Sequence, residues 1–330
     1  MALAEKIITM KEHLLNLDSL NINLGANEML VVNFILAFVM FGVALGIKVR
    51  TFKTIFKKPV PIILGLTLQW VALPALTCLL TIVLNPIITP MIAIGMILVA
   101  SCPGGNMSNF LSAFSKGNVE LSVSMTAVTT LFASIITPFN FWFWGSHYCR
   151  FASIRNNIPT LEIPFDEMLS QIILILGFPI ILGLVVSHFF PNVAKKLTKV
   201  TSVLSIILFI AMLVVSATQV LSSFEQRWEV YAGILSTLLI VIIHNATALG
   251  AGYFVGKAAK VPVRDRRSLT IETGIQNSGL GLALLFNTSI FAPELWYNNG
   301  GMIIVTALWG IWHIVSGLTI STLFRRSPLA

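Results

Sequence analysis

Charged side chains are scarce in this sequence. Asp, Glu, Lys and Arg make up 10% of the 330 residues, whereas 56% are hydrophobic, and the mean hydropathy is +0.89. A soluble globular protein carries about 25% charged residues. The shortage therefore excludes an ordinary soluble fold and predicts an all-α, polytopic membrane protein in contact with lipid.

Cysteine is also scarce, and the positions of the three cysteines exclude a cysteine-built site. Cys78 and Cys102 lie in apolar segments, and Cys149 stands apart from both. This spacing predicts neither a disulfide framework nor a cysteine metal centre, and we expect no organic cofactor. The formal net charge is +8, but the basic residues lie in short loops between apolar segments. We therefore interpret them as a topology signal and expect no nucleic-acid partner.

Nine apolar segments follow one another along the chain. Each is close to the roughly 20 residues that a transmembrane helix requires, and we expect one transmembrane unit over 29–323, with a first half at about 29–144 and a second at about 168–323. Residues 1–28 are too polar to span and are expected to form an extracytoplasmic or interfacial segment. Residues 324–330 form a tail. The predicted spans are 29–47, 60–84, 90–114, 121–144, 168–189, 201–221, 230–255, 268–286 and 301–323.

The basic loops predict the orientation of the chain. Lys and Arg concentrate in alternate connections, and cytoplasmic loops are the ones enriched in these residues. The N-terminus is therefore expected outside and the C-terminal tail in the cytoplasm, in the plasma membrane or, in a bacterium, the inner membrane. Cys149 would then lie in an outer loop at 145–167. The basic connections are 48–58, 115–120, 190–200, 256–267 and the tail.

Glu272 is the only carboxylate within the nine predicted spans. It lies in the polar stretch 270–279, among hydroxyl, carboxamide and glycine residues. A charge buried in a bilayer costs several kcal/mol unless it is compensated, so the stretch indicates an ion or substrate site. A glutamate facing a cytoplasmic vestibule near the start of the span is the plainer alternative.

A second polar stretch, 101–109, interrupts the third predicted span. Pro103 removes a backbone donor, and Gly104 and Gly105 permit unwinding and close approach of another backbone. A proline kink alone is common in membrane helices. The stretch around Glu272 also contains two glycines, Gly274 and Gly279, and enters the membrane from the opposite side. Two interrupted helices of opposite orientation are typical of a secondary transporter built from an inverted repeat.

The residues of these two stretches resemble the sodium–bile acid symporter family. The motifs are Cys102–Asn109, followed by Lys116–Asn118, and Glu272–Leu280, and the resemblance covers roughly residues 30 to 323. The polar N-terminus is similar to that of nine-span members. The resemblance implies two crossing discontinuous helices, within a fold divided into core and panel domains.

The resemblance also implies two sodium sites that share Glu272. Two Na⁺ ions against one carboxylate leave a charge of +1, which favours a monovalent organic anion as the substrate. Asn106, Asn277 and His313 are candidates for the substrate cavity. The first sodium site would use Ser108, Asn109, Ser122, Thr126 and Glu272, and the second Gln69, Glu272, Thr273, Ile275 and Gln276.

Three functions compete at this point. The leading one is Na⁺-coupled import, by alternating access, of an organic anion such as a bile acid, a steroid conjugate or a small carboxylate. A proton-coupled or uncoupled carrier or an exporter on the same fold is the alternative, since Glu272 could carry a proton. An intramembrane hydrolase using His244 or His313 is remote, because the sequence offers no nucleophile motif, and we expect no enzymatic activity. The oligomeric state stays open.

Overall fold

The computed structural model describes residues 2–20, 26–47, 59–156, 163, 165–222, 228–286 and 299–328. Within these residues every regular element is a helix, and the one β-bridge is isolated. The helices are α1 (Ala2–Asp18), α2 (Ala26–Leu45), α3 (Pro59–Thr67), α4 (Leu73–Leu84), α5 (Pro90–Ser101), α6 (Asn106–Phe114), α7 (Val119–Leu131), α8 (Ala133–Asn156), α9 (Phe165–Ile172), α10 (Phe178–Phe189), α11 (Pro191–Ser222), α12 (Trp228–Ala258), α13 (Val263–Gly274), α14 (Ser278–Leu285) and α15 (Gly300–Arg326). Single π-helical turns, Leu68–Ala72 and Ile173–Gly177, join α3 to α4 and α9 to α10.

The surface of the protein is apolar in the way that a lipid-facing surface requires. Large hydrophobic side chains point outward, among them Phe34, Phe178 and Phe254, which are 72%, 66% and 65% exposed. Hydroxyl and amide side chains are buried instead. Continuous exposed apolar surface marks contact with a membrane or a partner, and this distribution agrees with the all-α, polytopic membrane protein predicted from composition.

Helices cover all nine apolar segments, but they differ in length and continuity. Four helical stretches in the described residues are long and apolar enough to cross a membrane: Pro59–Leu84, Met168–Phe189, Val230–Ala258 and Gly300–Arg326. A fifth is obtained if α7 and α8 count as one span. The nine-span topology and the inverted repeat therefore stay predictions.

The structure corrects the fourth predicted span. The stretch 121–144 is not one straight helix, because α7 and α8 meet at Phe132 with a bend of 75°. Helix α8 then continues to Asn156, well past the predicted end of the span. Cys149 consequently lies within α8, 3% exposed, and not in an outer loop as we expected.

The helices form two packing groups. Helices α2, α10 and α11 pack against one another, whereas α5, α12, α13 and α15 hold most of the remaining interhelical contacts together with α4, α6, α7 and α8. The second group contains both interrupted spans. The assignment of the groups as panel and core domains rests on the family resemblance.

Helix α1 docks against the second group. Its Leu14 and Leu17 are fully buried, and the backbone N–H of Gly300 donates to the Leu20 carbonyl at 3.0 Å. Asp18, which is 7% exposed, accepts a hydrogen bond of 3.0 Å from Thr89 Oγ1 at the start of α5. Burial raises the pKa of the Asp18 carboxyl to about 8, although the hydrogen bonds it accepts from Thr89 and from the Met91 backbone oppose that rise.

Candidate functional site

The two interrupted spans cross at their breaks and bond to each other there. Helix α5 ends at Ser101 and α6 begins at Asn106, while α13 ends at Gly274 and α14 begins at Ser278. The Gly105 N–H donates to the Ile275 carbonyl at 3.1 Å, and the Asn277 N–H donates to the Pro103 carbonyl at 2.8 Å. The intervening Gly104 and Gln276 pair as an antiparallel bridge. At each break, backbone groups lose their partners within the helix, and the other break supplies hydrogen bonds to them. Irregular backbone inside a membrane protein requires such partners.

Glu272 lies beside this crossing and is fully buried. Its Oε1 accepts a hydrogen bond of 2.5 Å from Ser108 Oγ and another from Ser122 Oγ. Thr126 Oγ1 lies 3.2 and 3.3 Å from the two carboxylate oxygens. Asn109 Oδ1 lies 2.9 Å from Ser122 Oγ. The five side chains predicted for the first sodium site therefore come together, although they arise from three helices, α6, α7 and α13.

The π-helical turn between α3 and α4 positions Gln69. Its side chain is 2% exposed, and its Nε2 donates to the Glu272 carbonyl at 2.9 Å and lies 3.4 Å from Glu272 Oε2. The sequence explains the irregular turn, because Pro74 has no N–H to offer the carbonyl of Trp70. Asn140 Nδ2 supplies that bond instead, at 2.9 Å. A π-helical turn of this kind often occurs at functional sites.

The remaining residues of the second predicted sodium site form the break itself. Gln276 Nε2 donates to the Thr273 carbonyl at 2.9 Å, and the Ile275 carbonyl accepts from Gly105. The Thr273 hydroxyl bonds within its own helix, to the Leu269 carbonyl, so its backbone oxygen is the group that faces the break. Gln69 Oε1 and Gln276 Oε1 are buried and have no hydrogen-bond partner among the described atoms.

These oxygen atoms suit a hard cation. One carboxylate, three hydroxyls, the Asn109 amide oxygen and two unpartnered glutamine oxygens surround the crossing. A hydroxyl that donates to Glu272 keeps lone pairs with which it can bind a metal ion. Buried acceptors that lack a donor are uncommon, and binding of an ion is one of the established explanations. The arrangement can bind Na⁺ and balance its charge with a single carboxylate.

The glycines of the two breaks play different parts. A Cβ at Gly104 would lie 2.9 Å from both Gln69 Nε2 and Glu272 Oε2, so a side chain here would displace these two groups. A Cβ at Gly105 would lie 3.5 Å from the Gln276 carbonyl oxygen, an ordinary contact. Gly274, the last residue of α13, packs directly against Leu249, and Gly279 lies in the first turn of α14. Gly104 is thus the glycine at which an added side chain would press directly on Gln69 and Glu272.

A crevice of about 280 Å³ leads to the first set of ligands. It lies between the two packing groups, near the predicted cytoplasmic ends of α2 and α11. Two residues of the first predicted sodium site, Asn109 and Thr126, form part of its wall. The other described lining residues are small, apolar or neutral: Gly42, Val43, Gly46, Ile47, Val123, Ala127 and Thr198.

Two of the three substrate candidates, Asn277 and His313, do not belong to the described lining of this crevice. Asn277 Oδ1 accepts from the Leu280 N–H at 3.1 Å and so caps α14. His313 is buried on α15, one turn before Gly317, whose neighbours are Leu111 and Ile275. Asn106 begins α6, and its side chain lies outside what the structure describes. Their role in a substrate cavity stays a prediction.

No structural role was given to Asn245 or Arg267 in the sequence analysis. Asn245 Nδ2 donates to the Gly274 carbonyl at 2.7 Å, and Ser316 Oγ donates to Asn245 Oδ1 at 2.5 Å. Arg267, which the sequence places in a basic loop, is instead buried in α13, 2% exposed. An amide in an apolar span was a usable signal for Asn245. The neighbouring His244 forms a hydrogen bond of 2.8 Å between its Nε2 and Thr77 Oγ1. This contact between two helices explains a histidine at this position.

Comparison with known proteins agrees with this geometry. The model of the sodium bile acid symporter family matches residues 33–227, more than half of the chain. The chain is 29% identical over 295 residues to an uncharacterized sodium-dependent transporter of Bacillus subtilis, with 89% of this chain and 83% of that protein covered. It is 27% identical over 266 residues to the ileal sodium/bile acid cotransporter of Cricetulus griseus, with 80% and 70% covered. The human protein of that name is 27% identical over 252 residues, with 76% and 67% covered.

These relatives are transporters and not enzymes, which agrees with the expected lack of enzymatic activity. The family match, the named relatives and the crossing of two interrupted helices around a buried glutamate lead to one assignment. The chain belongs to the sodium bile acid symporter family.

Proposed function

We propose that this protein is a Na⁺-coupled symporter that imports an organic anion by alternating access across nine spans. The observation that carries the proposal is the convergence of Ser108, Ser122 and Thr126 on Glu272, at the crossing of two interrupted helices. Such crossings near the membrane centre are where secondary transporters hold their substrates and coupling ions. The names of the relatives, a sodium-dependent transporter and sodium/bile acid cotransporters, support sodium as the coupling ion.

Two sodium ions fit the oxygen atoms around Glu272. The first would lie among Ser108, Asn109, Ser122, Thr126 and the carboxylate. The second would use the unpartnered oxygens of Gln69 and Gln276, together with the backbone carbonyls of Glu272, Thr273 and Ile275. Each of those carbonyls accepts one hydrogen bond, and a carbonyl oxygen has two lone pairs. Both ions would share the Glu272 carboxylate.

Charge and shape favour an anionic substrate. Two Na⁺ ions and one carboxylate leave a single positive charge, which a monovalent anion would neutralise. The crevice between the packing groups reaches Asn109 and Thr126, and the described residues of its lining are all uncharged. Its position near the cytoplasmic ends of the helices suits release to the inside. An anion in this crevice would be attracted by the bound sodium ions.

Uptake into proteoliposomes tests the proposal. The assay uses a panel of labelled anions, namely taurocholate, estrone sulfate, pantothenate and pyruvate, with an inward Na⁺ gradient and with choline in its place. We expect at least one anion to accumulate only with Na⁺, with a Hill slope above one for Na⁺. Ser108→Ala and Gln69→Ala should each lower that slope, because each removes a ligand from one site. Accumulation driven equally well in choline by a pH gradient would replace this proposal with the proton-coupled alternative.

A further inference from the structure

Arg267 connects the cytoplasmic ends of three helices. It lies on α13, five residues before Glu272, and its guanidinium is buried. Nη1 donates to the Ser115 carbonyl at 2.8 Å, and Nη2 donates to the Ser327 and Pro328 carbonyls, both at 3.0 Å. Ser115 caps the C-terminus of α6, and Ser327 caps that of α15. A cation placed at two helix C-termini interacts favourably with both dipoles and pairs carbonyls that each helix leaves free.

The same turn of α13 is also bonded to the junction between α6 and α7. The Asn118 N–H donates to the Arg264 carbonyl at 3.0 Å, and Asn118 Nδ2 donates to Asp265 Oδ1 at 2.7 Å. Ser268 Oγ donates to the Asn118 carbonyl at 2.8 Å. Asn118 Oδ1 accepts from the Leu121 N–H and thereby caps α7. Asn118 therefore ties the start of α7 to the start of α13.

Aromatic contacts bring the same helix ends together independently. Arg325, near the end of α15, lies 4.8 Å from the centroid of the Phe114 ring at the end of α6. Arg267 lies 5.7 Å from the ring centroid of Phe324. Such cation–π contacts stabilise the approach of the helices. The ends of α6 and α15 and the start of α13 thus form one packed unit.

We infer that Arg267 and Asn118 form a clamp that sets the spacing of the helices carrying the first group of sodium ligands. Helix α6 carries Ser108 and Asn109, α7 carries Ser122 and Thr126, and α13 carries Glu272. At 1.5 Å rise per residue, Arg267 is only about 8 Å along α13 from Glu272. Helices are stiff over such a distance, so a displacement at the clamp moves the ligands. This role rests on the proposed sodium site, and Arg267 acts on it as a positioning residue.

Lysine cannot replace Arg267 in this clamp. The two nitrogens of the guanidinium reach two helix ends at once, in a fixed planar geometry. A lysine ammonium is one nitrogen on a flexible stem. Arg267→Lys would retain the charge at the helix ends and lose the bond to one of them. Arg266→Lys is the matched control, because Arg266 lies next to it, 5.1 Å from the Tyr253 ring centroid, with no hydrogen bond to α6 or α15 among the described contacts.

The test is a Na⁺ titration of thermal unfolding in detergent, using the full chain and choline to hold ionic strength constant. Groups that orient metal ligands from outside typically change metal affinity by roughly 10- to 100-fold. We expect Arg267→Lys to raise the Na⁺ concentration that gives half of the thermal shift roughly tenfold, while Arg266→Lys leaves it unchanged. A residue with a merely structural role would lower the unfolding temperature in choline without moving that midpoint. That result would overturn the clamp.

A second variant keeps the inference testable if Arg267→Lys does not fold. Asn118→Ser retains a side chain that can cap α7 but loses the bond to Asp265. It should move the Na⁺ midpoint in the same direction, and an unchanged midpoint would overturn the clamp. Failure of the proposed function would give a different result, because the unaltered protein would then show no Na⁺-dependent shift of its unfolding temperature. That result would also overturn the clamp.

Discussion

Replacing Glu272 by glutamine separates sodium binding from folding. The carboxylate is fully buried, and the hydrogen-bond donors around it are neutral: Ser108, Ser122, Thr126 and Gln69. Without a bound cation, the folded protein therefore bears the cost of a buried charge. Glutamine keeps the shape and removes that cost. The unfolding temperature of Glu272→Gln in choline should be equal to or higher than that of the unaltered protein.

The loss of sodium binding should be large. A Na⁺ ion about 4 Å from the carboxylate gains about 4 kcal/mol at an effective dielectric constant of about 20. Losing this attraction would weaken the binding of each ion by roughly a thousandfold. Binding of a ligand raises stability by RT ln(1 + [L]/Kd). At such weakened affinity the Na⁺-dependent rise in unfolding temperature of Glu272→Gln should disappear over the accessible concentration range.

The assay is thermal unfolding in detergent over a series of NaCl and choline chloride mixtures of constant ionic strength. Asp166→Asn is the control, since Asp166 is an exposed carboxylate on α9 and its loss should leave the Na⁺ response intact. If Glu272→Gln were stabilised by Na⁺ with the midpoint of the unaltered protein, Glu272 could not be the shared ligand. A large fall of its unfolding temperature in choline would show that the carboxylate stabilises the fold without ions.

Three further outcomes follow from individual contacts. Gly104→Ala should abolish Na⁺-dependent uptake in proteoliposomes, whereas Gly105→Ala should be tolerated, because only the former Cβ would press on the site at 2.9 Å. Asn245→Ala should lower the free energy of unfolding by about 1–3 kcal/mol in denaturant titrations, since the buried Gly274 carbonyl loses its donor. With a raised pKa of about 8, Asp18 binds its proton more tightly when α1 is docked. Docking should weaken by up to about 1.4 kcal/mol per pH unit as the pH rises from about 4 to 8, and hydrogen exchange of α1 should show this in the unaltered protein but not in Asp18→Asn.

A specific result would contradict each of these three predictions. Equal damage from alanine at Gly104 and Gly105 would mean that backbone freedom, and not space beside the site, is what glycine provides. An unaltered free energy of unfolding in Asn245→Ala would mean that another donor reaches the Gly274 carbonyl. Protection of α1 that does not depend on pH in the unaltered protein would show that Asp18 does not change its protonation on docking.

The positions of the helices and of the two breaks could be predicted from sequence, because they depend on local composition. An apolar run of about 20 residues has the length and composition of a transmembrane helix. Pro103 with two glycines interrupts a helix whatever surrounds it. The 75° bend at Phe132 has no comparable local signal. The part played by Arg267 was hidden for a related reason. Its partners Ser115 and Ser327 are far away in sequence and offer backbone carbonyls, which every residue possesses.

The backbone at the crossing leaves a defined set of oxygens for a cation. Most of the carbonyls there already accept a hydrogen bond: Glu272 from Gln69, Thr273 from Gln276, Gly274 from Asn245, Ile275 from Gly105 and Pro103 from Asn277. The breaks are therefore held in shape before any ion binds. What the described atoms leave without a donor are two side-chain oxygens, Gln69 Oε1 and Gln276 Oε1. Both glutamines use their nitrogens to fix the backbone, and this orients their oxygens. Under the proposed function, a sodium ion would therefore enter a preformed site, because the hydrogen bonds of the crossing already hold the ligands in place.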